Sequence, residues 1–412
     1  MSQAQGLYSA FVDTAILDAV RTPWIDCGGA LAQVSPIDLG IKVGREVLAR
    51  AAIDAASVDC VLAGSMGQAS FDAYMLPRHI GLYSGVPQSV PALAVQRICG
   101  TGFELLRQAG MELANGAELA LCVAAESMSR NPIAAYTHRN GFRLGAAVEF
   151  KDFLWEALYD PAPGIDMIAT AENLARRYGI TREQVDAFAL ASFERALAAR
   201  QQSWYVQELV AVSNERFALP GYHERAIELP RGVERVEQDS HPRATSLEAL
   251  ARLRPVHAGG VQTAGNSCAV VDGAAAVLVG RESTARQPVL ARLLAVSAVG
   301  VAPEVMGIGP VDAIRLLLSR SGLQLADIDL FEINEAQGAQ VLAVQQTLEL
   351  DDARLNRCGG SIALGHPLAA TGLRLCMSLA HQLRQGNLCY GVASACIGGG
   401  QGMAVLIENP QC

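Results

Sequence analysis

Two stretches of this chain repeat one pattern at a fixed distance. An apolar helical run, Leu39–Ala52, leads through Ile53-Asp54 into Val58-Asp59-Cys60-Val61-Leu62-Ala63-Gly64, a short buried strand that ends on glycine. Ala313–Ser321 leads in the same way through Gly322-Leu323 into Ile328-Asp329-Leu330-Phe331-Glu332-Ile333-Asn334, an offset of 270 residues (329 − 59). Thr101-Gly102-Phe103 opens a second helix that reaches Gly116 before a strand at Ala120–Ala124. Its counterpart opens at Thr371-Gly372-Leu373 and reaches Gly386 before Tyr390–Ala395, again 270 residues on (371 − 101). Helix followed by buried strand, twice in each copy, predicts two α/β halves with parallel-strand content, related by duplication and covered by helices.

At 412 residues, and with about 150 residues per domain, the chain has room for more than these two halves. The stretch between them, roughly 127–235, is richer in Arg, Tyr and Trp and holds a helix pair, Ala169–Tyr178 and Arg182–Arg200. The second helix starts at Thr181 with Gln184 three residues on, a capping box directly after the Gly179 stop. This reads as an inserted lobe. Leu247–Leu253 and the apolar Val270–Val279 then return the chain to the first unit. The expected division is 1–126 with 236–280, the lobe at 127–235, and 281–412.

Composition narrows the function classes. Apolar residues make up 51% and charged residues 18%, which excludes a disordered chain. With 41 acidic against 32 basic side chains the net charge is −9, so no general attraction to nucleic acid or to an anionic membrane is expected. No stretch approaches the roughly 18 to 20 consecutive apolar residues of a membrane span. The first basic residue, Arg21, follows Asp13 and Asp18, an order that matches neither a signal peptide nor a transit peptide. The ten cysteines are scattered without C-x-x-C pairs, several of them in apolar runs (Cys122, Cys268, Cys376, Cys389). Buried free thiols and a reducing cytoplasm are the expectation.

Four places break the apolar pattern with reactive residues at junctions where loops on an α/β scaffold carry function. In Gln96-Arg97-Ile98-Cys99-Gly100-Thr101-Gly102, Cys99 stands at a helix start, where N–H groups and the helix dipole favour thiolate and lower its pKa. The flanking glycines let a thioester come close. Taken alone, Cys99 reads equally as a small apolar residue capping a core helix. In Asn356-Arg357-Cys358-Gly359-Gly360-Ser361-Ile362-Ala363-Leu364-Gly365-His366-Pro367, Pro367 at a first helical position holds His366 extended at a helix mouth. General base and structural hydrogen bond both fit it, whereas the other six histidines read as surface or packing residues. Ala395-Cys396-Ile397-Gly398-Gly399-Gly400-Gln401-Gly402 follows a strand and lacks the dinucleotide fingerprint. It reads either as a cysteine beside free N–H groups, suited to proton transfer at an oxyanion site, or as a tight hairpin. Glu332-Ile333-Asn334-Glu335-Ala336 sets a polar trio at the end of a buried strand, where each member needs a partner, structural or catalytic. Zinc binding is set aside, since no Cys or His pair has ligand spacing.

Together with Ala19-Val20-Arg21-Thr22-Pro23, Glu126-Ser127-Met128-Ser129, Thr170-Ala171-Glu172-Asn173, Thr263-Ala264-Gly265-Asn266, Asp272-Gly273-Ala274-Ala275 and Met306-Gly307-Ile308-Gly309-Pro310, these blocks resemble the thiolase family over nearly the whole chain. These are acetyl-CoA and 3-ketoacyl-CoA acyltransferases. The resemblance implies an α/β fold of duplicated halves in layers α-β-α-β-α, with an inserted lobe that holds coenzyme A. It also implies reversible Claisen condensation or thiolysis of 3-ketoacyl-CoA, with CoA thioesters as substrates and no metal or redox cofactor. By position, Cys99 resembles the acylated nucleophile, His366 its activating base and Cys396 the acid/base at the α-carbon. Asn334 would hold a water that, with His366, stabilises the thioester enolate, and the N–H groups of Cys99 and Gly398 would form the oxyanion site for the acyl-enzyme. Met167, Arg243, Ser267 and Cys268 are implied as contacts to the substrate. The chemistry agrees, because joining two acyl groups needs a nucleophile to store one and a separate base to make a carbanion of the other.

The sequence also departs from the family pattern. Gln96 and Thr101 replace Asn and Ser around the nucleophile, Gln337-Gly338 replaces Phe-Ala, and Ala369 replaces a glycine after His-Pro. Ser267-Cys268-Ala269 stands where Ala-Ser-Gly is common, and Asp166-Met167-Ile168 where His-Met-Gly or a relative is expected. The changes at Gln337 and Ile168 bear on the shape of the acyl pocket. Two other readings stay open. One is a decarboxylating ketoacyl-synthase-like enzyme, against which Cys396 speaks because those pair the nucleophile with two histidines or with His and Asn. The other is a non-catalytic acyl-CoA-binding member of the fold. Low charge, high apolar content and the resemblance lead to at least a homodimer with sheets packed across a two-fold axis, and the lobe segment around Pro132–Gly145 is offered for a tetramer.

Overall fold

The structure, a computed structural model, describes residues 5–67, 71–136 and 138–412. The first copy of the repeat folds as β1 (Gly6–Ala10), β2 (Ala15–Arg21), α1 (Pro36–Arg50), β3 (Cys60–Gly64), α2 (Leu76–Tyr83), β4 (Ala92–Ala94), α3 (Thr101–Ala114) and β5 (Leu119–Glu126). Next come α4 (Met167–Tyr178), α5 (Arg182–Gln201), α6 (Leu247–Ala251) and β6 (Val271–Gly280). The second copy gives β7 (Ala291–Gly300), α7 (Gly309–Ser321), β8 (Leu330–Ile333), α8 (Gly338–Leu348), α9 (Ser361–Leu364), α10 (Thr371–Gly386), β9 (Tyr390–Ile397) and β10 (Gln401–Glu408).

Hydrogen bonding runs through the strands in the order β8-β9-β10-β7-β2-β6-β5-β3-β4, with β1 added on β7 and the two-residue strand Ile25–Asp26 on β6. The pairs β8/β9, β3/β5 and β3/β4 are parallel. The two half-sheets meet at one short antiparallel seam, Ala291 and Arg292 of β7 against Ile16 and Ala15 of β2. They therefore form one 11-stranded sheet. β5 is buried along its whole length, and the two-residue alternation of its side chains serves two cores. Ala120, Cys122 and Ala124 pack with Leu105, Leu106 and Ala109 of α3, whereas Leu121, Val123 and Ala125 pack with Ile37, Ile41 and Val47 of α1. The central helices α3 and α10 lie between the half-sheets, with α1 and α2 outside the first and α7 outside the second, which is the layering α-β-α-β-α.

At the centre the repeated glycines meet. A Cβ on Gly102 would stand 2.5 Å from Leu373 N and 2.9 Å from Gly372 Cα, and a Cβ on Gly372 would stand 2.7 Å from Phe103 N. The two helices thus cross backbone against backbone, an approach that leaves no room for a side chain on either.

The lobe begins as its caps dictate. Thr181 and Gln184 exchange the two bonds of the capping box, and Gly179 ends α4 with φ 66°. Leu247–Leu253 does not rejoin the first half as expected. Arg182 of α5 donates to the carbonyls of Leu250 and Leu253 (2.7 and 3.0 Å), which holds α6 on the lobe, so the return is made by β6. Cys389 is not a free thiol either. Asn409 N–H donates to the Cys389 carbonyl at 2.8 Å, which folds the last residues back until Cys412, with Cα atoms 5.6 Å apart, closes a disulfide onto Cys389. Cys122 and Cys376 are buried free thiols and Cys268 is partly buried. Within the 132–145 segment, residue 137 and the side chain of His138 lie outside the described residues. Among the described residues, no helix is long and apolar enough to cross a membrane.

Candidate active site

Between β4 and α3 the chain must turn sharply, and the strain of that turn falls on Ile98. Its φ of 45° is a left-handed conformation that a β-branched residue adopts only under constraint. The constraint is a strap: Thr101 Oγ1 accepts the Arg97 N–H at 2.9 Å and donates to the Ile98 carbonyl at 2.7 Å. Arg97 is held in turn by Glu104 (3.0 Å) and by Gln401 (2.9 Å) of β10. Cys99 follows Ile98 on a short helical turn, Ile98–Gly100, just ahead of α3. The backbone N–H of Gly398 acts on its thiol in the direction that favours thiolate. Although Cys99 keeps a partly exposed surface, desolvation pushes its thiol up to about 11, against the downward pull of the N–H groups of Gly398 and of Cys99 itself. The lowered pKa expected from the helix start is therefore reversed, and the resting group is a thiol.

β9 and β10 are joined by a tight hairpin whose Gly399 and Gly400 have φ of 81° and 82°. The tight-hairpin reading of this glycine run is what the structure shows, and the hairpin also carries the Gly398 N–H to the side of Cys99. Cys396, near the end of β9, is buried with Met306 and Ala336, and Met167 packs against them. Burial raises its thiol well above the ordinary value, with Cys99 and then Cys268 acting in the same direction. A Cβ on Gly398 would stand 3.6 Å from both Ile98 Cγ2 and Met167 Sδ, so the first residue of α4 reaches the Cys99 loop.

His366 and Asn334 meet behind this loop. Asn334 Nδ2 lies 3.3 Å from His366 Nε2, and His366 Nδ1 lies 2.6 Å from Thr371 Oγ1. Burial, aided by the Arg374 cation, lowers His366 to about 3, so its ring is neutral. Pro367 does not take the first helical position that was expected. A turn over 368–370 intervenes, in which the Pro367 carbonyl accepts the N–H groups of Ala370 and Thr371 (2.9 and 3.1 Å), and α10 starts only at Thr371. The polar trio after β8 finds its partners. Glu332 accepts from Arg374 (3.3 Å) and Gln382 (2.8 Å), and Asn334 Oδ1 accepts from Ser361 (2.7 Å). Glu335 accepts from Ser192 (2.7 Å), Asn356 (2.9 Å) and the Ile362 N–H (3.1 Å).

Cys268 brings a third sulfur to the region. Its N–H donates to the Ala336 carbonyl at 3.1 Å, and burial, followed by the nearby Cys99, pushes its thiol up to about 12. Ser267 accepts from Gln262 at 3.1 Å and bridges to Gln337, whose buried Oε1 has no hydrogen-bond partner among the described residues. Arg243 is exposed, with its guanidinium 4.8 Å from the Phe193 ring centre and 2.8 Å from His241 Nε2, and neither contact joins it to the thiols. A residue that sequence reasoning treated only as part of a motif, Glu126, turns out to organise the site. Its buried carboxylate accepts from Ser65 (3.1 Å), Met66 (3.0 Å), Gly67 (2.9 Å) and Ala369 (3.0 Å), which fastens the loop after β3 to the loop after His366. The signal was there: Glu126 is the only polar residue of an otherwise apolar strand.

A duplicated, layered α/β fold that gathers two desolvated thiols, a neutral imidazole and an inward N–H defines an acyltransferase of the thioester-condensing class. Residues 14–283 match the family description "Thiolase, N-terminal domain" and residues 287–409 match "Thiolase, C-terminal domain". The mitochondrial 3-ketoacyl-CoA thiolase of Bos taurus is 39% identical over 400 residues, covering 96% of this chain and 98% of that one. The acetyl-CoA acetyltransferase of Pseudomonas aeruginosa is 39% identical over 407 residues, covering 96% and 99%. The crystal structure of human mitochondrial 3-ketoacyl-CoA thiolase in complex with CoA matches with a TM-score of 0.90 at 38% identity, over 99% of this chain and 100% of that one. The chain belongs to the thiolase family, and its activity is that of an acyl-CoA acyltransferase.

Proposed function

We propose that the enzyme interconverts 3-ketoacyl-CoA plus free CoA with two acyl-CoA thioesters by a ping-pong route, with Cys99 storing the acyl group and Cys396 moving the proton at the α-carbon. The observation that carries this reading is the hairpin after Cys396, which brings the backbone of Gly398 against the Cys99 loop, its Cβ position 3.6 Å from Ile98 Cγ2, with an N–H that favours the Cys99 thiolate. In condensation, the Cys99 proton passes to His366 Nε2 and the sulfur attacks the thioester carbonyl, whose oxyanion accepts from the N–H groups of Cys99 and Gly398. The carbon–sulfur bond to CoA then breaks, and the departing sulfur takes the Cys396 proton. Cys396, now a thiolate, removes an α-proton from acetyl-CoA while protonated His366, with Asn334 beside it, stabilises the enolate oxygen. The new carbanion attacks the acyl carbonyl, the carbon–carbon bond forms, and the released Cys99 sulfur regains its proton from His366. All three groups end as they began, and all three begin uncharged, in keeping with their burial. Thiolysis is the same path reversed.

CoA binding is supported by the likeness to the human complex with CoA, and its assignment to the lobe rests on the family resemblance. Assembly into at least a dimer is supported by β4, which ends the sheet with Leu93 exposed, and by exposed Phe71, Tyr74 and Met75 ahead of α2. Turnover through two free thiols suits a reducing compartment such as the cytoplasm, where the Cys389–Cys412 pair would stand reduced. The reading is tested by separating the cysteines. Cys396→Ala should still take acetyl from acetyl-CoA onto Cys99, seen by intact mass, while condensation falls by roughly 10²- to 10⁴-fold. Cys99→Ala should lose both. Near-normal condensation by Cys396→Ala would favour a ketoacyl-synthase-like route with another base.

A further inference from the structure

Arg374 lies in the first turn of α10, 1% exposed, and reaches the site only through other side chains. We infer that Arg374 and Ser361 are positioning residues that set the tautomer of His366 through Asn334, an inference that rests on His366 being the base of the proposed reaction.

What each group is able to donate sets the direction of the chain of bonds. A guanidinium has no acceptor. Arg374 Nη2 stands 3.3 Å from Ser361 Oγ, so Ser361 accepts there and sends its single hydrogen to Asn334 Oδ1, 2.7 Å away. That fixes the amide with its NH2 toward the imidazole, 3.3 Å from Nε2. An amide NH2 does not accept, so Nε2 carries a lone pair and the ring proton sits on Nδ1. Thr371 Oγ1 receives that proton's bond at 2.6 Å and hands its own hydrogen to the Pro367 carbonyl at 3.1 Å. Every bond in the chain points the same way, from the cation to the carbonyl.

Its origin is fixed as well. Glu332 accepts from Arg374 Nη1, Gln382 donates to the same carboxylate, and the Arg374 guanidinium lies 5.6 Å from the Trp24 ring centre. Ser361 and Asn334 are fully buried, so the relay runs where bulk water does not compete for its bonds. The consequence is a base whose lone pair is oriented before substrate arrives. The same cation also opposes charge on the ring, the second cause of its lowered proton affinity.

The tautomer is measurable without turnover. In protein labelled with nitrogen-15 histidine, the His366 signals, identified by their loss in His366→Asn, should show the Nδ1–H form at neutral pH. Ser361→Ala should move them toward the average of the two tautomers. It should also lower kcat for CoA-dependent cleavage of acetoacetyl-CoA by roughly tenfold, the order of loss when a histidine's orienting partner is removed, with KM changed by no more than about twofold. Ser361→Thr, which keeps the hydroxyl, should recover most of that loss. An Nε2–H tautomer in the unmodified protein, or an unchanged tautomer in Ser361→Ala, overturns the inference. A protein with the Nδ1–H form that cleaves no 3-ketoacyl-CoA would instead refute the proposed reaction and support the relay.

Discussion

In the proposed reaction His366 has to be uncharged to take a proton, and its burial leaves a trace in stability. Its folded pKa, about 3, lies below the ordinary 6.5, so the unfolded chain binds a proton that the folded one refuses. The stability this contributes is complete above about pH 6.5 and is lost as pH falls toward 3, at roughly 1 kcal/mol per pH unit from this single group. Urea denaturation between about pH 7 and pH 4 should therefore show a steeper acid loss for the native protein than for His366→Asn, and parallel curves would mean that the ring is charged inside the fold. His366 was legible in the sequence because glycines and a proline framed it. The direction of the Cys99 shift was not. A helix start lowers a thiol's pKa, but the desolvation that reverses this depends on the surroundings of the folded site, where the distant β9–β10 hairpin faces the sulfur.

Among the elements, the crossing of α3 and α10 is where sequence spacing turned into geometry. The repeat located both helices, the helices α1 and α7 and the strands β3, β5, β8 and β9 to within a few residues, because buried α/β units keep their period. What the local readings missed depends on partners far along the chain. α6 stays on the lobe because Arg182 reaches its carbonyls, and Pro367 does not open α10 because the turn at 368–370 is tied through Ala369 to Glu126. The crossing itself makes a prediction. Gly102→Ala would put a Cβ against backbone atoms that have no rotamer to retreat to, so it should destabilise by about 1–3 kcal/mol or more in urea denaturation. A neutral substitution would show that the two helices stand further apart than described.

For the whole molecule, the open side of β4 sets the expectation. Among the described residues β4 is the edge of the sheet, and an edge strand with exposed Leu93, 48% accessible, invites pairing with a second chain. Light scattering at micromolar concentration should return at least twice the chain mass of 43.5 kDa, and one chain mass would remove the proposed dimer. The Glu126 carboxylate says something different about the molecule as a whole. Cys396 moved back by the repeat distance falls on Glu126 (396 − 126 = 270), His366 falls on Gln96, and Cys99 moved forward falls on Ala369. The duplication thus supplied two matching positions for one constellation, and around Ala369 the place of the second thiol is occupied by a carboxylate that binds the Ala369 N–H. On the proposed reading the duplication has ended in division of labour, with the nucleophile and the fastening carboxylate in one half and the base and proton donor in the other, so neither half alone would carry the chemistry.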